Sequence, residues 1–274
     1  MEQPAVALVG AGQMGGALVR GWLAAIRKGG GLTLTVLEPN FDPALERELD
    51  AAGAVLNPMG GDAADVVVFA VKPQAFAEIA AAARRFIGPK TLVLSVMAGV
   101  TISVISRTLG VERVIRAMPN TPGQIGQGIT AYVASSACAV ADRELAEQLL
   151  EPLGYVENIP SERLMDVVTA VSGSGPAYVF LLAEVLAAAA EAEGLDREIA
   201  SRLARQTVAG AGALMLQTGE SATSLRKQVT SPGGTTEAAL DVLQGAEGLG
   251  PVMRRAVAAA AQRSRELGRD ADQT

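Results

Sequence analysis

A chain of 274 residues, 49% of them hydrophobic, can bury a substantial core and suits two domains or one large one. Its net charge of −6, with no basic run anywhere, excludes a surface built to neutralise phosphates, and no nucleic-acid partner is expected. The absence of histidine and the presence of a single cysteine, Cys138, exclude histidine acid–base chemistry, His-containing triads, histidine or thiolate metal sites and an internal disulfide.

The first predicted strand, AVALVG at 5 to 10, follows no cationic leader or cleavage site, which points to the cytoplasm. Further β-rich runs, LTLTVL at 32 to 37, VVVFAV at 66 to 71, TLVLSV at 91 to 96 and RVIRAM at 113 to 118, alternate with helical segments. They lack the apolar–polar alternation of a half-exposed strand, as parallel strands covered on both faces do, so the spacing predicts a doubly wound α/β sheet. ITAYVA at 129 to 134 and GYVENI at 154 to 159 flank a helix near Asp142 and extend that sheet. A boundary near Pro160 follows, giving domains 1–160 and 161–274. Beyond it the Ala-, Leu-, Glu- and Arg-rich segments at about 161 to 193, 196 to 217 and 248 to 268 predict helices only. The least polar stretch, Val167 to Ala183, is broken by SGSGP and bounded by Asp166 and Glu184, and reads as a soluble helix rather than a membrane span. A small helical domain so rich in alanine gains from burying its faces against a second copy, so a homo-oligomer is expected; a self-contained bundle is the alternative.

Between the first strand and the first helix stands GAGQMG, residues 10 to 15. In that setting Gly10 permits the tight turn, Gly12 lets a pyrophosphate approach the backbone, and Gly15 lets helix and strand pack closely. Glu38 ends the second strand, where a carboxylate accepts hydrogen bonds from the ribose of NAD and repels the 2′-phosphate of NADP. Asn40 and Asn57 are neutral groups nearby in sequence that still admit NADPH. The alternatives are a glycine-rich turn without ligand and a plain surface acid. Lys72, before Pro73 at the end of a strand, sits where ligands bind in such sheets, or serves only as a helix-end charge.

VTSPGGTTEAAL, 229 to 240, places a proline, two glycines and a run of hydroxyls just before a helix. Ser231 is expected to cap that helix, Pro232 to suit its first turn, and Gly233 and Gly234 to leave N–H groups uncovered, which together make an anion-binding helix start. An ordinary capped loop is the other reading. SGSGPAY at 172 to 178 reads as a close approach of small residues with Pro176 starting a helix, and Met118 to Pro122 as a turn lining the cleft, with Asn120 as a weaker cofactor candidate.

Taken together, GAGQMG, Asn57, AVKPQ at 70 to 74, SVMAGV at 95 to 100, RAMPNTP at 116 to 122, SGSGPAY and VTSPGGTT resemble the pyrroline-5-carboxylate reductases over nearly the whole chain. The resemblance implies a Rossmann-type domain followed by a helical dimerisation domain, dimers that assemble as far as decamers, and NADH- or NADPH-dependent reduction of 1-pyrroline-5-carboxylate to L-proline, the last step of proline biosynthesis. It implies cofactor contacts from Gly10, Ala11, Gly12, Gln13, Met14, Gly15, Glu38, Asn57, Ala70, Val71, Lys72, Pro73 and Ala98. Substrate contacts are implied from Ser231, Gly233, Gly234, Thr235 and Thr236, with Glu162 as a further one. Where the family often has a small hydroxyl residue facing the 2′-phosphate, this chain has Glu38, so the expectation leans towards NADH.

The chemistry fits the composition. An imine nitrogen protonates in the neutral range and the iminium accepts hydride readily, so no strong general acid is needed. Thr236 is the expected catalytic residue, its hydroxyl near the ring nitrogen. Dehydrogenases of hydroxy acids must remove an alcohol proton, usually with a lysine or histidine, and 161 to 193 contains neither. The rival readings are another two-domain reductase or hydroxy-acid dehydrogenase, and a dinucleotide-sensing or pyridoxal-phosphate-binding regulator.

Overall fold

The computed structural model describes residues 3–27 and 31–272; Lys28, one of the four lysines, lies outside them. Eight strands form one sheet: β1 (Ala5–Val9), β2 (Thr33–Leu37), β3 (Val55–Leu56), β4 (Val66–Phe69), β5 (Leu92–Ser95), β6 (Val114–Met118), β7 (Gly128–Ala134) and β8 (Gly154–Asn158). Their order is β3-β2-β1-β4-β5-β6-β7-β8, parallel throughout except that β7 runs antiparallel to β6. The expected doubly wound architecture is therefore present. The two-residue edge strand β3 is an addition.

The missing alternation has a direct cause. Val6 and Leu8 of β1 enter one apolar cluster and Ala7 and Val9 the other, and Val66 and Val68 part from Val67 and Phe69 in the same way. Successive side chains point to opposite faces, and both faces are covered. One cluster lies under α1 (Gln13–Arg27), α2 (Pro43–Ala51) and, past α3 (Phe76–Ala83) and α4 (Ile102–Leu109), α5 (Val140–Leu150). There Trp22, 1% exposed, donates its Nε1–H to the Leu149 carbonyl at 2.8 Å and ties α1 to α5. The other lies under α3 and α4. Polar residues fix the helix ends: Asp42 accepts from the Ala44 and Leu45 amides, each at 3.0 Å, with Pro43 at the first helical position, and Thr101 accepts from Val104 N at 3.3 Å before Gly110, at φ 72°, closes α4.

Chain packing separates two compact units, Met1–Gly173 with Ala261–Thr274, and Ser174–Ala260. The sequence boundary at 160 follows the last strand; the packing division falls later because the first helical turns after Ser161 stay with the sheet unit. Those turns are α6 (Met165–Val168) and a π-helical turn, Thr169–Gly173, so the continuous helix expected from 161 to 193 is interrupted. The Thr169 and Ser172 hydroxyls donate to the carbonyls of Met165 at 2.8 Å and Val168 at 2.9 Å, giving partners to carbonyls in the widened turn. The second unit holds α7 (Gly175–Ala192), α8 (Arg197–Thr218), α9 (Ala222–Gln228), α10 (Thr235–Leu243) and the start of α11 (Leu249–Asp272), whose end belongs to the first unit. No residue of α7 is buried, and only Ala200 and Ala204 of α8 are.

Candidate active site

In an open α/β sheet ligands bind outside the carboxyl ends of the strands, where the strand order reverses. Here the reversal is at β1, flanked by β2 and β4. The chain leaves β1 into Gly10–Gly15, β2 into Glu38, β3 into Asn57, β4 into Ala70–Pro73 and β5 towards Ala98. The fold thus gathers all thirteen predicted cofactor positions at one end of adjacent strands.

The three glycines of the loop do different work. Gly10 has φ 93°, and a Cβ there would stand 2.8 Å from the Ala70 carbonyl; at Gly15 it would stand 2.0 Å from the Gly10 carbonyl. Both are required by the protein's own packing. A Cβ on Gly12 would meet no protein atom within 4 Å, so nothing in the fold demands glycine there. An approaching ligand explains it, and the residues fit a dinucleotide. Gly12 and Gln13 are exposed at the mouth of α1, whose first backbone bond is Gly16 N to Gly12 O at 2.7 Å.

Glu38 is held on several sides. Its Oε2 accepts from Ala11 N at 2.8 Å and its Oε1 from Asn40 N at 2.9 Å. Asn57, in the left-handed region at φ 43°, accepts from Glu38 N at 2.9 Å and donates to Glu38 O at 2.8 Å. The carboxamide of Asn57 is thereby spent on the Glu38 backbone. Each carboxylate oxygen of Glu38 retains a lone pair, because each can accept two bonds. Lys72 and Ala98 are exposed, and Lys72 precedes a short 3-10 turn, Pro73–Ala75.

Sequence reasoning missed Arg116. It lies on β6 only 5% exposed, and its Nη1 donates to Glu162 Oε1 at 2.9 Å; the same oxygen accepts from Ile102 N at 2.9 Å. Its position inside an apolar strand, VIRAM, was the available signal, since an arginine is seldom buried without a partner. Asn120 is likewise committed: it donates to the Ser172 carbonyl at 3.1 Å and accepts from Ile129 N at 3.0 Å. A Cβ on Gly173 would lie 2.8 Å from the Met118 side chain, which accounts for glycine at that position, whereas a Cβ on Gly175 would meet nothing within 4 Å.

Four of the groups with displaced proton affinity, Arg113, Tyr132, Cys138 and Asp142, lie elsewhere in the same unit, around β6, β7 and α5, and serve structure. Burial pushes the Cys138 thiol and the Tyr132 phenol up, and the hydrogen-bonded Arg113 guanidinium holds the Asp142 carboxyl below its usual range.

In the second unit, the 229–236 stretch departs from expectation in its cap. The N-cap of α10 is Gly234, not Ser231, and Pro232 occupies a turn rather than the helix. Gly234 N donates to Ser231 O at 3.0 Å, closing a turn with Pro232 second and Gly233, at φ 69°, third. Only glycine takes that third place without strain. The expected uncovered amides are also displaced: Gly233 N donates to Glu237 Oε2 at 2.7 Å, and Gly234 N is used in the turn. The first backbone bond back into the helix is Ala238 N to Gly234 O at 3.2 Å, so the N–H groups of Thr235, Thr236 and Glu237 have no backbone acceptor among the described residues. These three converge on the positive end of the helix. The uncovered amides thus lie two residues further along the chain than the sequence suggests.

Residues 162–267 match the family model described as pyrroline-5-carboxylate reductase dimerisation, and residues 5–99 match the one described as NADP oxidoreductase, coenzyme F420-dependent. The chain is 39% identical to the pyrroline-5-carboxylate reductase of Pseudomonas aeruginosa over 97% of its own length and 98% of that protein. It resembles the solved pyrroline-5-carboxylate reductase of Coxiella burnetii with a TM-score of 0.88 and 36% identity, covering 97% of this chain and 99% of that one. The Plasmodium falciparum pyrroline carboxylate reductase with NADP bound superposes with a TM-score of 0.77 at 27% identity, covering 98% and 99%.

Proposed function

The chain belongs to the pyrroline-5-carboxylate reductase family, and on that premise we propose how its residues divide the work of the reaction. The activity is the reduction of 1-pyrroline-5-carboxylate to L-proline, an oxidoreductase reaction at a C=N bond. Residues 1–160 bind the dinucleotide; residues 161–274 supply the substrate loop and the oligomer interface. Gly10 to Gly15 hold the pyrophosphate, Glu38 the adenosine ribose, and Ala70, Val71, Lys72, Pro73 and Ala98 the remainder along the strand ends. Asn57 acts by fixing Glu38. When bound, the cofactor supplies the hydride. The observation that supports this reading is Gly12, whose place no packing constraint reserves for glycine and which lies exposed at the mouth of α1 between two glycines that packing does require.

The substrate carboxylate lies on the amides of Thr235, Thr236 and Glu237, in the turn shaped by Ser231, Gly233 and Gly234. Thr236 directs its hydroxyl to the ring nitrogen, as acceptor for the iminium proton or donor to the developing amine. Positioning and fixed dipoles do the catalysis, which is why a chain without histidine suffices. Both bonds of Glu162 fall on Oε1, and the substrate contact we assign to it belongs to Oε2.

Homo-oligomerisation accounts for the helical unit. Phe180, Leu181 and Val185 of α7, Leu203 and Leu216 of α8 and Val242 of α10 are each more than half exposed in the single chain. By length and composition Glu162–Ala192 also suffices to cross a membrane, with mean hydropathy 1.4. Lipid cannot account for α8, which exposes apolar side chains beside Arg197, Glu198, Arg202 and Arg205; a second protein surface accounts for both helices. The dimer is the unit, assembly as far as decamers an extension of it, and the cytoplasm its place.

The test is an absorbance assay of purified protein with 1-pyrroline-5-carboxylate and either dinucleotide. Turnover is expected with both, with kcat/KM higher for NADH, and Glu38→Ser is expected to shift the ratio towards NADPH by about 10-fold or more, the scale of one charge–phosphate contact. A strong NADPH preference in the unaltered protein would refute the role given to Glu38.

A further inference from the structure

The mouth of α10 already holds a carboxylate of its own. Glu237 is the third residue of the helix after the Gly234 cap, and instead of pointing outward it turns back to accept from Gly233 N at 2.7 Å. A glutamate at this position commonly reaches back over the first turn, where it satisfies an orphan N–H and lies in the favourable field of the helix start. Those same two properties, orphan amides and a positive field, are what a substrate carboxylate needs. Two carboxylates a few ångströms apart repel, so the mouth cannot hold both without cost.

We propose that Glu237 is an internal competitor for the substrate carboxylate: it caps the helix mouth when the site is free, and its charge drives it off Gly233 N when the substrate carboxylate binds beside it. The inference rests on the assignment of the substrate carboxylate to this loop. Three features give it shape. Glu237 is exposed, so its side chain can swing into solvent. Gly233 is in the left-handed region, with open space around the position of a Cβ, so the backbone it bonds is accessible. The charges of Arg226 and Lys227 lie on the preceding helix α9, and no ion pair to Glu237 is present among the described residues. Glu237 therefore weakens binding of a monocarboxylate through its charge, while its hydrogen bond keeps the turn in shape. It is a specificity-determining residue: a ligand with a second negative group on this side meets greater repulsion still.

The variant E237Q keeps an acceptor for Gly233 N and removes the charge. In full-length protein it is expected to lower KM for 1-pyrroline-5-carboxylate by about 3- to 10-fold, the range of a partly screened charge at a helix mouth. The inhibition constant of L-proline is expected to fall by a similar factor. The KM for NADH should not move. A purely structural cap predicts the opposite pattern: E237Q leaves both constants unchanged or raises them, and E237A, lacking the acceptor, raises them further as the turn loosens. Either of those results overturns the proposal. Thr236→Ala, run alongside, separates the two levels. Lost efficiency in T236A with unmoved constants in E237Q removes the competitor and leaves the loop assignment standing, whereas wild-type efficiency in T236A together with unmoved constants in E237Q removes both.

Discussion

Replacing Thr236 with alanine lowers kcat/KM for 1-pyrroline-5-carboxylate by about 10- to 1000-fold, the range for losing one well-placed polar group in a transition state. Thr236 is the second residue of α10, partly buried, and its hydroxyl makes no hydrogen bond to the protein among the described residues, unlike the hydroxyls of Thr91, Thr169 and Ser172, which donate to backbone carbonyls. A hydroxyl without a protein partner at the mouth of an anion-binding helix is available to a ligand. The substitution leaves the backbone N–H and the helix dipole in place, so carboxylate binding should suffer less than the chemical step: kcat falls more than KM rises. Thr236→Ser, which restores the oxygen, should recover most of the loss. The KM for the dinucleotide and the melting temperature are controls expected to stay near those of the unaltered protein. Near-wild-type turnover in T236A would remove Thr236 from the mechanism.

Alanine at Gly12 and alanine at Gly15 should fail in different ways. At Gly12 the new methyl meets no protein atom, so the melting temperature is expected to hold, while dinucleotide affinity drops by about 10- to 100-fold, or about 1.4 to 2.7 kcal/mol, because the methyl stands where the pyrophosphate must approach. At Gly15 the methyl stands 2.0 Å from the Gly10 carbonyl, a distance that forces α1 away from β1. The cost there is to the fold, about 3 kcal/mol or more, seen as lost thermal stability and poor yield before any assay. Thermal melts and dinucleotide titration on the two variants check this. A Gly12→Ala protein that binds NADH as tightly as the unaltered chain would mean that the loop does not cradle the cofactor.

The parts of the fold legible in the sequence are those whose side chains carry the cause. The runs at 5–9, 66–69 and 92–95 are almost wholly apolar, those at 33–37 and 114–118 apolar but for Thr33, Thr35 and Arg116, and each is a strand. Their order, and with it the convergence of Gly10, Glu38 and Ala70 at one end, follows from parallel pairing across helical crossovers. Elements too short to carry a pattern were not legible. β3 is two residues long, and α9, with ATSLRKQ, has neither a clear apolar stripe nor a strong stop. The break was signalled by SGSGP, with Pro176 in the first turn of the next helix, but its form as a widened turn at Thr169–Gly173 was not, because it rests on a pair of hydroxyls bonding backwards. Around Gly234 the proline suggested a cap at Ser231, but the Pro232–Gly233 pair suits a turn equally well and the cap falls at Gly234. Glu237, three residues beyond the true cap, would have marked that start had it been weighed as a capping partner. Arg116 and Glu162 show the commonest gap: residues distant in sequence whose partnership only the folded sheet brings about.

The central claim is that a bare helix mouth, aided by no arginine, holds the carboxylate of the cyclic imine. A crystal structure of the protein with NADH and L-proline tests it most directly. The account predicts the proline carboxylate within hydrogen-bond distance of the amides of Thr235, Thr236 and Glu237, the Thr236 hydroxyl on the ring nitrogen, and the Glu237 side chain turned away from Gly233 N. Proline seated elsewhere, with the Glu237 carboxylate still on Gly233 N, would contradict it.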